Sequence, residues 1–463
     1  MGLFGTMYTG YTGVYCMTTG MKVVADNISN LNTIGFKKSR YEFMDQLVRA
    51  TQEVFTPERG VGSFIKAIRT IYSQGGITTT DIPTDLAISG KGFFIVEDQK
   101  GNIYYTRDGQ FFINEVDKDH LALQNSLGMF LLGADPNATT ADLASLKPYL
   151  IPKIMSAKAT SNIHAELILD SRKSVNDKTL IQKYDALSNP SQPIADNNYD
   201  WVFNWSIYDE KGDPVGLRLY VDRGDAPNKY EVLLALADPS KDGRGTGKMQ
   251  GAFLYGELEF GSSGDVESVN FYNVNLDGSL DPLDLKQLGK PKCTLNINGS
   301  QQDVTLDLGF TVNPDGSISR EAGSIKMIAN PFTQLSFTQD GYPEGLFDRI
   351  EIITEDGLIK AWYTNQKSID VSRIFLADFS GYEDSLKKVG GNLFVTKAGA
   401  KPVIFGPSPG ERGRILSGAL ETSNVDLANE MVDLITLQRT FESNSRVITT
   451  ADEMLSEFIR QRI

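Results

Sequence analysis

Residues 423–463, SNVDLANEMVDLITLQRTFESNSRVITTADEMLSEFIRQRI, contain neither Gly nor Pro, and their Leu, Met, Phe and Ile residues recur three and four apart. That spacing marks one face of a long helix. It opens with Ser423-Asn424-Val425-Asp426, which fits a capping box. Steps of four and three from Leu427 reach Met431, Leu434, Gln438, Phe441, Ser445, Ile448, Asp452, Leu455 and Ile459, a mostly apolar seam with polar members. A rod of this length spans roughly 55 Å. Compact cores do not need such a rod, so its stripe is expected to face another helix.

The opposite end supplies a partner. From Phe4 the same steps reach Met7, Tyr11, Val14, Thr18, Met21, Ala25 and Ile28, and the pattern stops where Asn27, Asn30, Asn32 and Gly35 break the helix. The two terminal rods are expected to pair through these seams, with everything between them inserted. Gly10, Gly13 and Gly20 each cost about 1 kcal/mol relative to Ala, so the first rod is expected to be loose until something packs on it.

The 463 residues, 40% of them hydrophobic, allow about three domains with real cores. A formal net charge of -14 argues against nucleic acid as a partner. Cys16 and Cys293 exclude a disulfide framework and read as small packing residues. No run of about eighteen apolar residues suggests membrane insertion. The N-terminus lacks the basic region and cleavage site of a removable signal. Met1-Gly2-Leu3-Phe4-Gly5-Thr6 fits the myristoylation pattern, yet a lipid there would hold in a bilayer residues that the heptad wants packed. If the chain is exported, it is expected to leave by a route that does not cut it.

Beyond the first helix, the Asn- and Gly-rich run 26–37 reads as a bend of fixed shape. Residues 41–51 read as a short helix, and 55–79 as an extended connector. Short strands follow at 86–88, 92–96, 103–106 and 110–113, with Lys100-Gly101 and Asp108-Gly109 as turns. Strands at 350–354 and 358–363 flank Asp356-Gly357, and 373–379 adds another; these are expected to share one sheet with the earlier group. In the middle segment, 154–330, alternation puts Ile163, Ala165, Leu167 and Leu169 on one face, and Trp201, Phe203, Trp205 and Ile207 on one face of a later strand. Leu217, Leu219 and Val221, then Leu254, Leu258 and Phe260, continue it. The three aromatic rings read as core rather than as a sugar platform.

A search for chemistry finds no cofactor, metal or catalytic motif. The two histidines, His120 and His164, belong to no local nucleophile pattern. Residues 243–249, GRGTGKM, lack the leading Gly and the Ser or Thr of a phosphate loop and read as a flexible hairpin tip. Asp277, Asp281 and Asp284 lack the spacing and closing Glu of a calcium loop, and Pro282 interrupts them.

The run 26–37, DNISNLNTIGFK, resembles the N-terminal signature of the bacterial flagellar rod and hook proteins. Residues 84–94, TDLAISGKGFF, with 105–109, YTRDG, look like the start of that family's shared β domain. Residues 389–394, VGGNLF, 417–426, SGALETSNVD, and 438–441, QRTF, are similar to its C-terminal signature. Asn27, Asn30, Asn32, Gly35, Phe36, Asn424 and Asp426 are the positions carrying these motifs. Asp26 and Ile34 depart from the usual Asn and Thr. The resemblance implies a mixed, mainly β fold: 1–32 plus 424–463 as a coiled-coil-like inner helical domain, 33–75 with 400–423 as a connector, 76–153 plus 331–399 as a middle β domain, and 154–330 as an outer β domain.

The large insertion implies a structural subunit of the flexible hook rather than of the shorter distal rod. It also implies export without signal cleavage through the flagellar type III apparatus. Beyond copies of itself, the implied partners are the distal rod protein, the hook cap protein and the hook-filament junction protein, at an extracellular site on the flagellum. Phe4, Met7, Tyr11, Val14, Met21, Ile28, Leu427, Met431, Leu434, Phe441, Ile448, Leu455 and Ile459 are the expected assembly residues. A distal rod or hook-associated protein, and an extracellular β-sandwich adhesin or enzyme, are the alternatives.

Overall fold

The computed structural model describes residues 3–48, 59–321, 323–407 and 413–460; the Met1-Gly2 pattern and residues 49–58 of the expected connector lie outside them. The chain divides into two compact units, one of 1–153, 347–363 and 367–463, the other of 154–346 and 364–366.

In the first unit, both terminal runs are helices, Leu3–Ser29 and Leu427–Arg460. Of residues 41–51, expected as a helix, 41–48 are instead part of a strand, Ser39–Val48, paired antiparallel with Arg59–Thr70, and 49–51 lie outside the described residues. The alternation in the second strand explains the outcome: Val61, Ser63, Ile65 and Ala67 are half-buried while Phe64, Lys66 and Ile68 are exposed, so a two-sided ribbon is available to capture the segment before it.

Strands from both sides of the middle segment do share one sheet. Leu376–Asp378 pairs with Phe93–Glu97, Leu393–Thr396 with Ile103–Thr106, and Ser368–Ile374 with Phe130–Ala134. Phe93, Tyr105, Phe375, Phe379 and Phe394 fill one core, with rings in edge-to-face contact. Asp108-Gly109 does not turn a hairpin. Ile103–Thr106 pairs with Phe93–Glu97, whereas Phe111–Glu115 pairs onward with His120–Asn125. The glycine serves a backbone crossing: a Cβ on Gly109 would lie 1.6 Å from the Leu86 carbonyl oxygen, and Leu86 N–H donates to Gly109 O at 2.9 Å.

The second unit holds a six-stranded antiparallel sheet in chain order, from Trp201–Tyr208 to Leu280–Pro282, and a five-stranded mixed sheet containing Asn162–Asp170. The alternation read from sequence holds: Ile163, Ala165, Leu167, Leu169, Phe203, Trp205, Ile207, Leu217, Leu219, Val221, Leu254, Leu258 and Phe260 join one buried cluster. Trp201 is the exception; 45% exposed, it stacks on Phe332 with centroids 5.9 Å apart.

Residues 243–249 are not a loose tip. Asp242 accepts from Arg244 and from Gly251 N–H, and the Arg244 guanidinium lies 4.0 Å from the centre of the Phe253 ring. The three carboxylates near Gly278 are each used locally: Asp277 accepts from Ser279, Asp281 from Asn275, and Asp284 from Lys286 N–H. Among the described residues no three His, Cys, Asp or Glu side chains gather as metal ligands.

Candidate assembly interface

The terminal helices pack antiparallel along a seam of small residues. A Cβ on Gly10 would lie 2.8 Å from Ile448 Cγ1, one on Gly13 2.7 Å from the Asn444 side chain, and one on Gly20 3.2 Å from Leu437 Cδ2. Farther along, Asn27 Nδ2 donates to Glu430 Oε2 at 3.0 Å. The buried positions are Gly10, Gly13, Cys16, Gly20, Val23, Val24 and Asn27 on one helix and Glu430, Leu437 and Ala451 on the other. Glycines that weaken an isolated helix thus let two backbones approach closely.

This corrects the expected pairing. The observed contacts of Gly13, Gly20 and Asn27 with Asn444, Leu437 and Glu430 lie one residue before the expected positions Val14, Met21, Ile28, Ser445, Gln438 and Met431. One residue is a turn of about 100° around each helix. Counting large apolar residues found the bulkiest face, whereas close packing selected the adjacent, smallest one.

Of the expected assembly residues, only Ile448 touches the seam through the glycines. Met7, Val14, Met21, Ile28, Leu434, Phe441 and Leu455 are half-buried, and Phe4, Tyr11, Leu427, Met431 and Ile459 are exposed. With Tyr8 and Tyr15, Phe4 and Tyr11 make an open aromatic stripe in steps of four and three, Phe4 being 73% and Tyr11 61% exposed. On the other helix Val447, Met454 and Phe458 are also exposed. An exposed aromatic stripe of this kind marks an interaction site.

At the root of the pair the motif residues converge. Gly35, at φ +67°, donates its N–H to Glu421 O at 2.7 Å, and a Cβ there would meet the Arg107 carbonyl carbon at 2.6 Å. Phe36 is buried under the Lys388 ammonium, 3.9 Å from the ring centre. Asn27 Oδ1 accepts Ser39 N–H at 2.9 Å and its Nδ2 donates to Ser39 O at 2.8 Å. Asn424 Oδ1 accepts Lys38 N–H at 2.8 Å, and its Nδ2 donates to Ile71 O at 2.8 Å. Asn30 closes the first helix by donating to Asp26 O, while Asn32 is exposed. The second helix is capped by Asp426, which accepts from Ala428 N–H at 2.9 Å. Ser423 Oγ accepts from Val425 N–H instead, so the expected capping box is replaced by a single-residue cap.

Residues not singled out from the sequence sit at the centre of this root. The Glu421 carboxylate accepts from Lys37 Nζ at 2.6 Å, Gly75 N–H at 2.8 Å and Arg107 Nη1 at 3.0 Å. The Lys37 and Glu421 side chains are fully buried and that of Arg107 nearly so. Burial pushes the Lys37 pKa down, Glu421 draws it back up, Arg107 lowers it again, and the net direction is downward. Glu430, also buried, accepts from Lys38 as well as Asn27. All lie inside or beside the quoted motifs; a charge directly after apolar residues, as at Glu421 after Ala419-Leu420 and Lys37 after Phe36, is the signal that could have found two of them.

Three family descriptions match the chain: Flagellar hook protein FlgE/F/G D1 domain over residues 87–158, Flagellar basal body protein FlaE D2 domain over 169–342, and Flagellar basal body rod FlgEFG protein C-terminal over 416–461. The chain is 31% identical to the flagellar hook protein FlgE of Borreliella burgdorferi, over 98% of this chain and 99% of that one. It is 27% identical to the flagellar hook protein FlgE of Salmonella typhimurium, over 97% and 98% respectively. The crystal structure of Helicobacter pylori flagellar hook protein FlgE2 aligns with 74% of this chain and 100% of that one, at 16% identity and a TM-score of 0.44.

Proposed function

The chain belongs to the flagellar hook protein family, and from that premise we propose that its copies polymerise into a flexible hollow tube, a universal joint passing torque from rod to filament. The observation that carries the mechanism is the double use of the terminal helices. The glycine face of the first helix is filled within one molecule, while the stripe of Phe4, Tyr8, Tyr11 and Tyr15, roughly opposite it on the same helix, is open. A stripe left open on the side away from a completed seam is a surface for neighbouring copies. The helical pairs would form the inner wall of the tube. Their apolar contacts hold on bending, because separating them exposes apolar surface to water. The second unit, whose core is closed by its own two sheets, would meet its neighbours through polar contacts that exchange at low cost.

The same reading makes the protein a structural part with no catalytic role. It places the protein at the hook, after export by the flagellar type III apparatus without a cleaved signal, between the distal rod and junction proteins and beneath a cap protein during growth. Electron microscopy of purified full-length chain, concentrated to assemble, tests the core of it. Curved hollow tubes with the terminal helices lining the bore are the expected result; short straight tubes, or a monomer at all concentrations, would refute it.

A further inference from the structure

The polar cluster at the root of the helical pair has no evident use in holding copies together, because it is closed to solvent. Three parts of the chain converge on one carboxylate: Lys37 after the first helix, Arg107 from the β sheet region, and Gly75 beyond the hairpin, all on Glu421 just before the second helix. Arg107 also donates to Gly90 O at 2.8 Å, and Lys37 to Ser73 O at 2.8 Å. The cluster holds two cations and one anion, and Arg107 Nε has no hydrogen-bond partner. Apolar residues of the same volume would stabilise such a site at least as well, so a buried ionic cluster is weak as a device for stability. What it supplies is geometry: the Glu421 carboxylate meets Lys37, Gly75 and Arg107 together in this arrangement, and any tilt of the helices against the β sheet strands a charge away from water.

We propose that Glu421 is a positioning residue that fixes the angle between the helical pair and the β sheet of the same unit, making their joint a stiff elbow. Bending of the tube then occurs elsewhere. This rests on the assembly reading above, and the test separates the two.

Hydrogen exchange on the full-length chain, below its assembly concentration, compares the joint amides Gly35, Lys38, Gly75 and Thr422 with the strands Phe93–Glu97 and Ile103–Thr106. In Glu421→Gln the joint amides are expected to exchange about a hundredfold faster while the strands keep their protection. Glu421→Asp, which keeps the charge, is expected to stay within about tenfold of the parent at the joint. Tubes of Glu421→Gln are expected to show a spread of helical pitches where the parent shows one. Equal loss of protection at joint and strands, or global unfolding, would make Glu421 an ordinary core residue and overturn the proposal. So would unchanged exchange, or tubes with the parent geometry. If the parent chain forms no tubes, the assembly reading fails while the exchange comparison still decides the elbow.

Discussion

In the two-sheet unit Ile163, Leu167, Leu217 and Leu254 are at most 1% exposed, whereas along the helical pair Phe4, Tyr8, Tyr11 and Phe458 are each at least half exposed. Both regions obey their sequence periodicities. They differ in how much of their apolar surface finds cover within the molecule. In the second unit one face of each strand meets the facing sheet, and where the other face of the six-stranded sheet is apolar, as at Tyr220, Leu233 and Ala235, the residues Leu180, Tyr184 and Ile194 cover it. The first helix is covered by the second along its glycine line and by the hairpin strands at Cys16 and Gly20, and its aromatic stripe stays exposed. The first region is complete alone; the second is complete only at its root, where Glu421, Asn27 and Asn424 tie it down.

The sharpest way to break this contrast is to remove or charge the open face. Deleting 424–463, or combining Tyr11→Asp with Met454→Asp, is expected to abolish assembly while leaving the thermal transition of the two-sheet unit in place. Sedimentation and calorimetry on the same samples read both, and tubes from either variant would refute the contrast. Next in size, Trp205→Ala is expected to destabilise the two-sheet unit by about 3–5 kcal/mol. That indole is 4% exposed, stacks on Phe337 at 5.2 Å and donates to Gln334 Oε1 at 2.8 Å. Trp201→Ala, by contrast, loses one half-exposed stack, about 1 kcal/mol; equal losses in urea titrations would mean the burial difference has no energetic weight.

Within the helical pair, Gly13→Val is expected to cost about 1–3 kcal/mol by overpacking against Asn444. Tyr11→Ser, two residues away on the open face, should leave monomer helicity unchanged by circular dichroism. The reverse order would turn the seam around.

The smallest effect concerns acid. Burial alone would raise the Asp340 carboxyl, but hydrogen bonds from Ser161 and Asn162 and the Lys158 ammonium hold it well below the usual carboxylate range. Its stabilising contribution is therefore complete above the ordinary carboxylate pKa of about 4 and is lost as pH falls below it. Asp340→Asn should flatten the acid limb of the two-sheet unit's melting curve and leave that of the helical pair unchanged.

By itself, the sequence determined the heptad spacing of both ends, the alternation of Ile163 to Leu169 and of Leu217 to Val221, and the motif blocks that meet at the root. These are local patterns, and hydrophobic periodicity records them directly. Tertiary structure alone decided which of two neighbouring helical faces turns inward, because that choice depends on how closely Gly10, Gly13 and Gly20 let Ile448, Asn444 and Leu437 approach. It also made a strand of Ser39–Val48, whose partner comes later in the chain, and a crossing of Asp108-Gly109, set by Leu86. The charge on Glu421 became a joint for the same reason: Lys37 and Arg107 are hundreds of residues away in the chain and 2.6 and 3.0 Å away in space. A one-dimensional pattern fixes which faces want cover; only packing distances fix what covers them.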